Sequence, residues 1–341
     1  MGIKITQIVP KEDIDVTNLS GKTIAVDALN TIYQFLSIIR QYDGSPLADN
    51  QGRTTSHLSG IFYRSLNQMI AGVRLVYVFD GKPPEFKSIV NNERTKKRTE
   101  AHEKWMSAKE DGNFEEAKKH AQASVKITDE IIKESKELLG AMGIPVVQAP
   151  SEGEAQAAVM ARKGIVFAAA SSDFDTLLFG TPRLIRNLNI TGKRKIPGTS
   201  IYRYVKPEII HLEKALSTLG LSREQLISLG ILVGTDYNPG GIAGLGPKKA
   251  LAFVKKHKNF DKIFENIGWN FKIQPKEICD FFMNPPTEND LDITQKEANP
   301  EKIKKILCDK HNFSDERVAS MLKKLDILKE QKKQTTLCKW G

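Results

Sequence analysis

Seven carboxylates are placed where chemistry is plausible. Asp27 follows the apolar run 22–26, Asp80 follows 75–79, and Asp173 and Asp175 lie just past 165–169. Glu152 and Glu154 stand two apart after Pro150 and Ser151, and Asp236 ends Gly234-Thr235-Asp236. The apolar runs read as short buried strands, and open α/β sheets bind ligands beyond the carboxyl ends of their strands. Alone, each acid also fits a helix cap or turn residue. Together, four strand-end acids in one sheet share one edge. Two like charges ~4 Å apart repel by about 4 kcal/mol at an effective dielectric of ~20. Such an edge must take up protons or hold cations. Oxygen ligands without His or Cys favour Mg²⁺ or Mn²⁺ over zinc. A carboxylate-held pair of such ions suits phosphodiester hydrolysis. Lys87 and Arg94, seven apart after Asp80, would share one helix face and offset the charge of a phosphate in the transition state.

The elements that position these residues alternate. Runs 22–26, 75–79, 145–148 and 165–169 predict strands; 31–40, 57–71, 125–142 and 226–233 predict helices. Ser151 is a candidate N-cap for a helix through 155–162. On a regular helix Glu152 and Glu154 would diverge, so at least one belongs to the entry turn. The pattern predicts an α/β fold: a central, largely parallel twisted sheet flanked by helices. Residues 85–120 have good helix formers but few apolar residues, divided by the turn Asp111-Gly112-Asn113. Two such helices should stand away from the body.

Charge points to a partner. The 341 residues carry 51 Lys+Arg against 41 Asp+Glu, a net +10. Window 176–207 holds seven cations (Arg183, Arg186, Lys193, Arg194, Lys195, Arg203, Lys206) and no acid. Window 237–260 holds five more (Lys248, Lys249, Lys255, Lys256, Lys258), again with no acid. A solvated face is the bland reading; with Gly and Pro turns nearby, a grip on nucleic acid is the sharper one. A composition of 40% hydrophobic and 27% charged residues excludes a wholly disordered chain. No apolar stretch is long enough for a membrane helix, the first ten residues lack a signal-peptide core, and three cysteines are too few for a disulfide framework. An intracellular protein with no membrane partner is expected.

Five motifs in order carry a resemblance: Ala25-Val26-Asp27-Ala28; Val76-Tyr77-Val78-Phe79-Asp80-Gly81-Lys82-Pro83-Pro84; Ala149-Pro150-Ser151-Glu152-Gly153-Glu154-Ala155; Ser171-Ser172-Asp173-Phe174-Asp175; and Gly234-Thr235-Asp236-Tyr237. Over nearly its whole length the chain resembles the flap endonucleases of the structure-specific 5′ nuclease superfamily. The resemblance implies cleavage of 5′ flaps near the junction of single- and double-stranded DNA, in replication (Okazaki fragment processing) and repair, with 5′-3′ exonuclease activity besides. It implies two Mg²⁺ ions, replaceable by Mn²⁺, served by all seven acids directly or through water. It makes Lys87 and Arg94 the basic catalytic pair on a mobile arch, Tyr33 the aromatic stacked near the scissile nucleotide, and Arg40 and Arg64 DNA contacts. Gly2, in a Met-Gly-Ile start, lies close to the DNA, as do Glu152, Gly234 and Asp236. Taken singly, Tyr33 reads as core.

Residues 240–250 are glycine-rich, yet no Gly-Lys-Ser/Thr closes a P-loop and no strand precedes them. Glycine turns entering a helix let backbone N–H groups approach phosphate. The resemblance makes this a helix–two-turn–helix on duplex DNA, with Gly241, Gly244, Gly246, Lys248 and Lys249 as contacts and, in this family, often a K⁺ ion. At the C-terminus Gln334, Leu337 and Trp340 have the Gln-x-x-aliphatic-x-x-aromatic spacing of a sliding-clamp (PCNA) peptide, with Gly341 where a second aromatic is usual. After a lysine-rich segment it should stay flexible until bound. No basic tail follows, as in archaeal members.

The implied organisation is a nuclease core in two parts (1–80 and 131–236), a mobile helical arch (81–130), the helix–two-turn–helix with a C-terminal helical region (237–330) and a clamp-binding tail (331–341). A monomer is implied, in the cytoplasm or nucleoid if archaeal and the nucleus if eukaryotic. Residues 270–315 are unassigned beyond helices around Pro285-Pro286. Alternatives are a 5′-3′ exonuclease or bubble-cutting relative on the same scaffold, and a non-catalytic clamp-bound DNA adaptor.

Overall fold

The computed structural model describes residues 3–84, 88–189, 192–195 and 202–337, without the side chains of 88–97, 192–195, 202–203 and 327–337. Its strands are β1 (Glu12–Asp13), β2 (Thr23–Asp27), β3 (Arg74–Phe79), β4 (Val146–Gln148), β5 (Ala168–Ala170), β6 (Arg183–Arg186), β7 (Gly192–Lys195), β8 (Tyr202–Val205) and β9 (Glu208–His211). Among the described residues seven of them form one sheet in the order β1-β9-β6-β5-β2-β3-β4, while β7 and β8 make a separate antiparallel pair. β2 pairs in parallel with both β3 and β5, and the β3–β4 and β5–β6 pairs are parallel too. Only β9, against β6 and β1, runs antiparallel. The chain moves outward from β2 through β3 to β4, then returns to the other side of β2 for β5. That return puts a topological switch point at the carboxyl end of β2.

Both sheet faces are covered, which is why the central strands read as continuous apolar runs. One face presents Ile24, Val26, Leu75, Tyr77, Phe79, Ala168 and Ala170 to α1 (Ala28–Ile38), α2 (Ser56–Ile70) and α5 (Asp129–Ala141); between α2 and α5 in the chain come α3 (Ser88–Glu110) and α4 (Phe114–Ala123). The other face presents Ala25, Val76, Val78 and Ala169 to α6 (Gly153–Arg162). A second core gathers α7 (Asp175–Leu178), α8 (Leu212–Leu219), α9 (Arg223–Val233), α10 (Pro247–His257), α11 (Phe260–Glu265) and α12 (Pro275–Met283). Last come α13 (Pro300–Lys304) and α14 (Asp315–Leu337). No helix among the described residues is long and apolar enough to cross a membrane.

Several expectations need correcting. The helices of 85–120 fold as α3 and α4, split at the expected turn, but they do not stand clear. They pack on each other and α4 packs on α1, burying Ala101, Ala108, Ala117 and Ala121. Lys109 Nζ lies 2.7 Å from Asp43 Oδ2 near the turn that joins them. Small side chains permit such close helix approach with little hydrophobic signal. Helices do flank Pro285-Pro286, α12 ending at Met283 and α13 starting at Pro300, and between them runs a strap without regular structure, from which Leu291 and Ile293 pack on the α6 face. Gln334 and Leu337 lie within α14 rather than in a flexible peptide, since no Gly or Pro interrupts a run of good helix formers. Trp340 lies outside the described residues. The turn before α14 is tied to the body of the fold by His311, whose Nδ1 is 3.0 Å from Asp49 Oδ2 and whose Nε2 is 3.0 Å from Glu134 Oε1.

Candidate active site

Asp27 is the last residue of β2 and also caps α1. Its Oδ1 accepts the Asn30 N–H at 3.0 Å and its Oδ2 accepts Ser171 Oγ–H at 3.2 Å. Beside it, just past β3, Asp80 Oδ1 accepts the N–H of Gly153 at 2.8 Å. Gly153 opens α6, where backbone N–H groups have no helical partner and favour an anion. A Cβ at this position would lie 2.6 Å from Asp80 Oδ1, so glycine lets the carboxylate keep this bond. Glu152 occupies the N-cap position in extended conformation and Glu154 the first turn, so one glutamate does belong to the entry turn. Ser151 is not the cap; α6 starts later than expected, and its hydroxyl has no partner.

The segment after β5 is held internally. Asp173 N–H donates to Ser171 Oγ and Asp175 N–H to Asp173 Oδ1, each at 3.2 Å. Asp175 opens α7, and its Oδ1 accepts the Ile3 N–H at 2.9 Å. Thr176 Oγ1 donates to Glu154 Oε2 at 3.2 Å. Asp27, Glu152 and Asp175 are buried; Asp80, Glu154, Asp173 and Asp236 are half-buried.

Electrostatics ties the seven into one field. Burial, then Asp80, pushes Asp27 up to about 7, with Asp173 adding to it. Burial raises Glu154 well above the carboxylate range, reinforced by Asp173, Asp175, Asp27 and Glu152. Asp175 rises for the same reasons, burial first and then Asp173 and Asp236. The Tyr237 hydroxyl is likewise pushed up by burial and by Glu152, Glu154, Asp175 and Asp236. Among the described residues no three His, Cys, Asp or Glu side chains stand arranged to hold a metal ion. Carboxylates without a counter-charge repel, and these turn to Gly153, Ser171, Thr176 and Ile3 instead. The donor set still fits a hard divalent cation, being all oxygen, largely buried and mutually destabilised.

The expected DNA contacts are more dispersed. Gly2 and Lys87 lie outside the described residues, and Arg94 is placed by its backbone on α3. The Tyr33 ring packs against the core while its hydroxyl donates to the Gln122 carbonyl at 3.4 Å. Arg40 Nη1 donates to the Gly44 carbonyl at 2.6 Å. Its side chain also lines a cavity of about 460 Å³ between α1 and α3, with Leu36, Pro46, Arg98, Trp105 and Lys126. Arg64 is half-buried on α2. Gly234 and Gly241 are required by packing: a Cβ on Gly234 would meet Gly241 N at 2.5 Å, and one on Gly241 would meet the Leu232 carbonyl at 2.4 Å. Around Gly244 and Gly246 the space is open, and Lys248 and Lys249 are exposed at the start of α10.

The window 176–207 is not wholly unopposed. Arg186 pairs with Glu208 at 3.2 Å and Lys206 with Asp15 at 3.9 Å, while the Arg183 guanidinium lies over Phe167, 4.5 Å from the ring centre. The partners come from outside the window, and folding brings them in. Sequence reasoning missed Asn30, Ser171, Gly153, Thr176 and Tyr237 as site residues. Gly153, Ser171 and Tyr237 stand inside the five sequence motifs, which is the signal that could have found them, whereas Asn30 and Thr176 lie just outside those motifs.

A mostly parallel sheet with a carboxylate cluster at its switch point, followed in the chain by a glycine–lysine loop, is the frame of a structure-specific nuclease. Known proteins agree. The XPG N-terminal domain matches residues 1–101 and the XPG I-region residues 143–236. Flap endonuclease 1 of Pyrococcus abyssi is 54% identical over 340 residues, covering 100% of this chain and 98% of its own. That of Pyrococcus furiosus is 53% identical, covering 100% and 99%. The structure of flap endonuclease-1 from Methanococcus jannaschii aligns with TM-score 0.77 at 36% identity, over 97% of this chain and 100% of that one. The catalytic core of Rad2 in complex with DNA substrate aligns at TM-score 0.69 and 24% identity, over 92% and 96%, and supports the fold. The chain belongs to the flap endonuclease family, whose members are metal-dependent in general.

Proposed function

We propose that this protein is a structure-specific endonuclease that cleaves 5′ flaps near the junction of single- and double-stranded DNA, in replication and repair. The observation that carries the reading is the placing of the acids past the carboxyl ends of β2, β3 and β5 and at the start of α6, where hydrogen bonds through Ser171, Gly153 and Thr176 link Asp27 to Asp173, Asp80 to the α6 entry and Glu154 to the Asp175 segment. These side chains would hold two Mg²⁺ ions, or Mn²⁺ in their place, which supply the Lewis acidity that phosphodiester hydrolysis needs. The chain's own groups set the acids in place. The Gly153 N–H holds Asp80, the Thr176 hydroxyl orients Glu154, and Ser171 with the Asn30 N–H fixes Asp27.

Lys87 and Arg94 offset phosphate charge from the arch, and the cavity lined by Arg40, Arg98 and Lys126 offers cations to a single strand. Duplex DNA is gripped by the loop at Gly244 and Gly246, with Lys248, Lys249 and a K⁺ ion, and by Arg64. Tyr33 would stack near the scissile nucleotide, and Gly2 would be a further contact to the DNA. Gln334, Leu337 and Trp340 form the clamp-binding peptide of a monomeric enzyme.

The test is cleavage of matched 5′-flap, nicked and bubble duplexes. Cutting near the flap junction in Mg²⁺, abolished by EDTA, is expected, with a 5′-phosphate and a 3′-hydroxyl left. A flap left intact in Mg²⁺ overturns the proposal. A bubble cut faster than the flap moves the protein to a relative's specificity.

A further inference from the structure

Arg186 belongs to the acid-free window, yet it is turned inward, its side chain only 15% exposed. It ends β6, directly opposite Glu208 of β9 in the strand register. Glu208 Oε2 lies 3.2 Å from Arg186 Nη1, and Oε1 is taken by Lys11 Nζ at 2.5 Å. So anchored, the guanidinium addresses the acid-bearing segment twice. Its Nε donates to the Ser172 carbonyl at 3.2 Å, and its Cζ lies over the Phe174 ring, 4.3 Å from the centroid. Ser172 and Phe174 flank Asp173, and Asp175 comes next. From the opposite side Asn30 Oδ1 accepts the Ser172 N–H at 3.3 Å and hydroxyl at 2.8 Å. Residues 172–174 are thus clasped between α1 and β6.

We propose that Arg186 is a positioning residue of the nuclease: stacked on Phe174 and bonded to the Ser172 carbonyl, it fixes the turn that presents Asp173 and Asp175 jointly to the metal ions. This rests on the nuclease reading of the site. Two features suit Arg186 to the task. A planar guanidinium can stack and donate in its plane at once, which an ammonium cannot. Its charge also stands behind the carboxylate cluster, neutralised on its far side by Glu208 and so committed to that place. A phosphate anchor needs a free, exposed head; this one has a carboxylate, a carbonyl and a ring as partners.

The experiment compares the full chain with Arg186→Met in three measurements: Mn²⁺ binding without DNA, followed by the spin-resonance signal of the free ion; the Mg²⁺ midpoint for flap cleavage; and flap-DNA Kd without divalent metal. Groups that orient metal ligands typically change metal affinity or activity by about 10–100-fold. For Arg186→Met we expect Mn²⁺ affinity about tenfold weaker, the Mg²⁺ midpoint raised by a similar factor, and DNA Kd within about twofold. Unchanged Mn²⁺ affinity in a folded variant overturns the proposal. So does a weakened DNA Kd with the metal measurements unmoved, which would make Arg186 a phosphate anchor. If Arg186→Met does not fold, Phe174→Leu removes the stacking face while keeping an apolar side chain; it should raise the Mg²⁺ midpoint, and no change would equally overturn the assignment. A wild-type chain that leaves flaps intact, while Arg186→Met still weakens Mn²⁺ binding, defeats the flap reading and leaves the positioning role standing.

Discussion

Asp27, Glu154 and Asp175 hold their protons more tightly in the folded chain than in an extended one, because burial and then their acidic neighbours oppose ionisation. An acid raised in this way favours folding at low pH. Its contribution is lost as pH rises from the ordinary carboxylate range through the folded value, about 7 for Asp27. Glu134 behaves oppositely: burial pushes it up, but His57, Lys310 and His311 outweigh that and hold it at about 2. Its contribution persists above the ordinary range and fades only in stronger acid, so the two effects occupy different windows. In EDTA the unfolding midpoint should therefore fall between about pH 5 and about pH 8, with a flatter profile in Asp27→Asn. Mg²⁺ should raise the alkaline end most. A flat wild-type profile in calorimetry would mean that these acids do not share one field. The acids themselves are legible in the sequence because each follows an apolar run or a Pro-Ser or Gly-Thr turn. Asn30 and Thr176 are not, since a hydroxyl or amide that orients a neighbour has no periodicity or charge pattern to mark it.

At the scale of elements, the α3–α4 hairpin and the 234–246 loop depend on close backbone approach. Ala117 is fully buried where α4 docks. Overpacking such a contact typically costs about 1–3 kcal/mol. Ala117→Leu should free the hairpin locally, so that limited proteolysis cuts within 85–125 sooner and flap cleavage slows while duplex binding holds. Unchanged proteolysis would show that the docking seen at Ala117 does not restrain the arch. Three of the four strands expected from the sequence, β2, β3 and β4, are readable to within a residue because both faces of the sheet are covered, while β1, β6, β7, β8 and β9 carry no apolar run long enough to announce them. β5 is the exception: its three alanines follow a turn at Gly164, and the apolar Ile165 before it belongs to that turn. Alanine contributes little to hydrophobic pattern, which also hid the arch docking. The strap after α12 lacks periodicity of either kind, since it packs by a few side chains and by bonds such as Gln295 Nε2 to the Leu75 carbonyl.

Across the whole molecule, the net charge of +10 divides into groups with different tasks. Arg183, Arg186 and Lys206 serve the chain's own packing, whereas Lys248 and Lys249 project from α10 into open space. Charge counted along a sequence cannot separate the two, because the partners of the first group come from other segments. Each phosphate neutralised by an exposed cation adds about 0.9 to the slope of log affinity against log salt. Lys248→Ala and Lys249→Ala should each flatten that slope by about 0.9 and weaken flap-DNA binding, with single-turnover cleavage at saturating protein unchanged. An unaltered slope would remove them from the DNA contact.

The return of the chain across β2 also bears on when the molecule becomes dangerous to DNA. Its acids span Asp27 to Asp236, and β5 can take its place beside β2 only after β3 and β4 have been made. Such long-range pairings form late, since distant segments must first be brought together. A chain that ends before β5 therefore carries Asp27 and Asp80 without Asp173 and Asp175, and the acid edge of the sheet is incomplete. On the proposed reading, hydrolytic competence waits for Asp236, which comes after the last strand of the sheet.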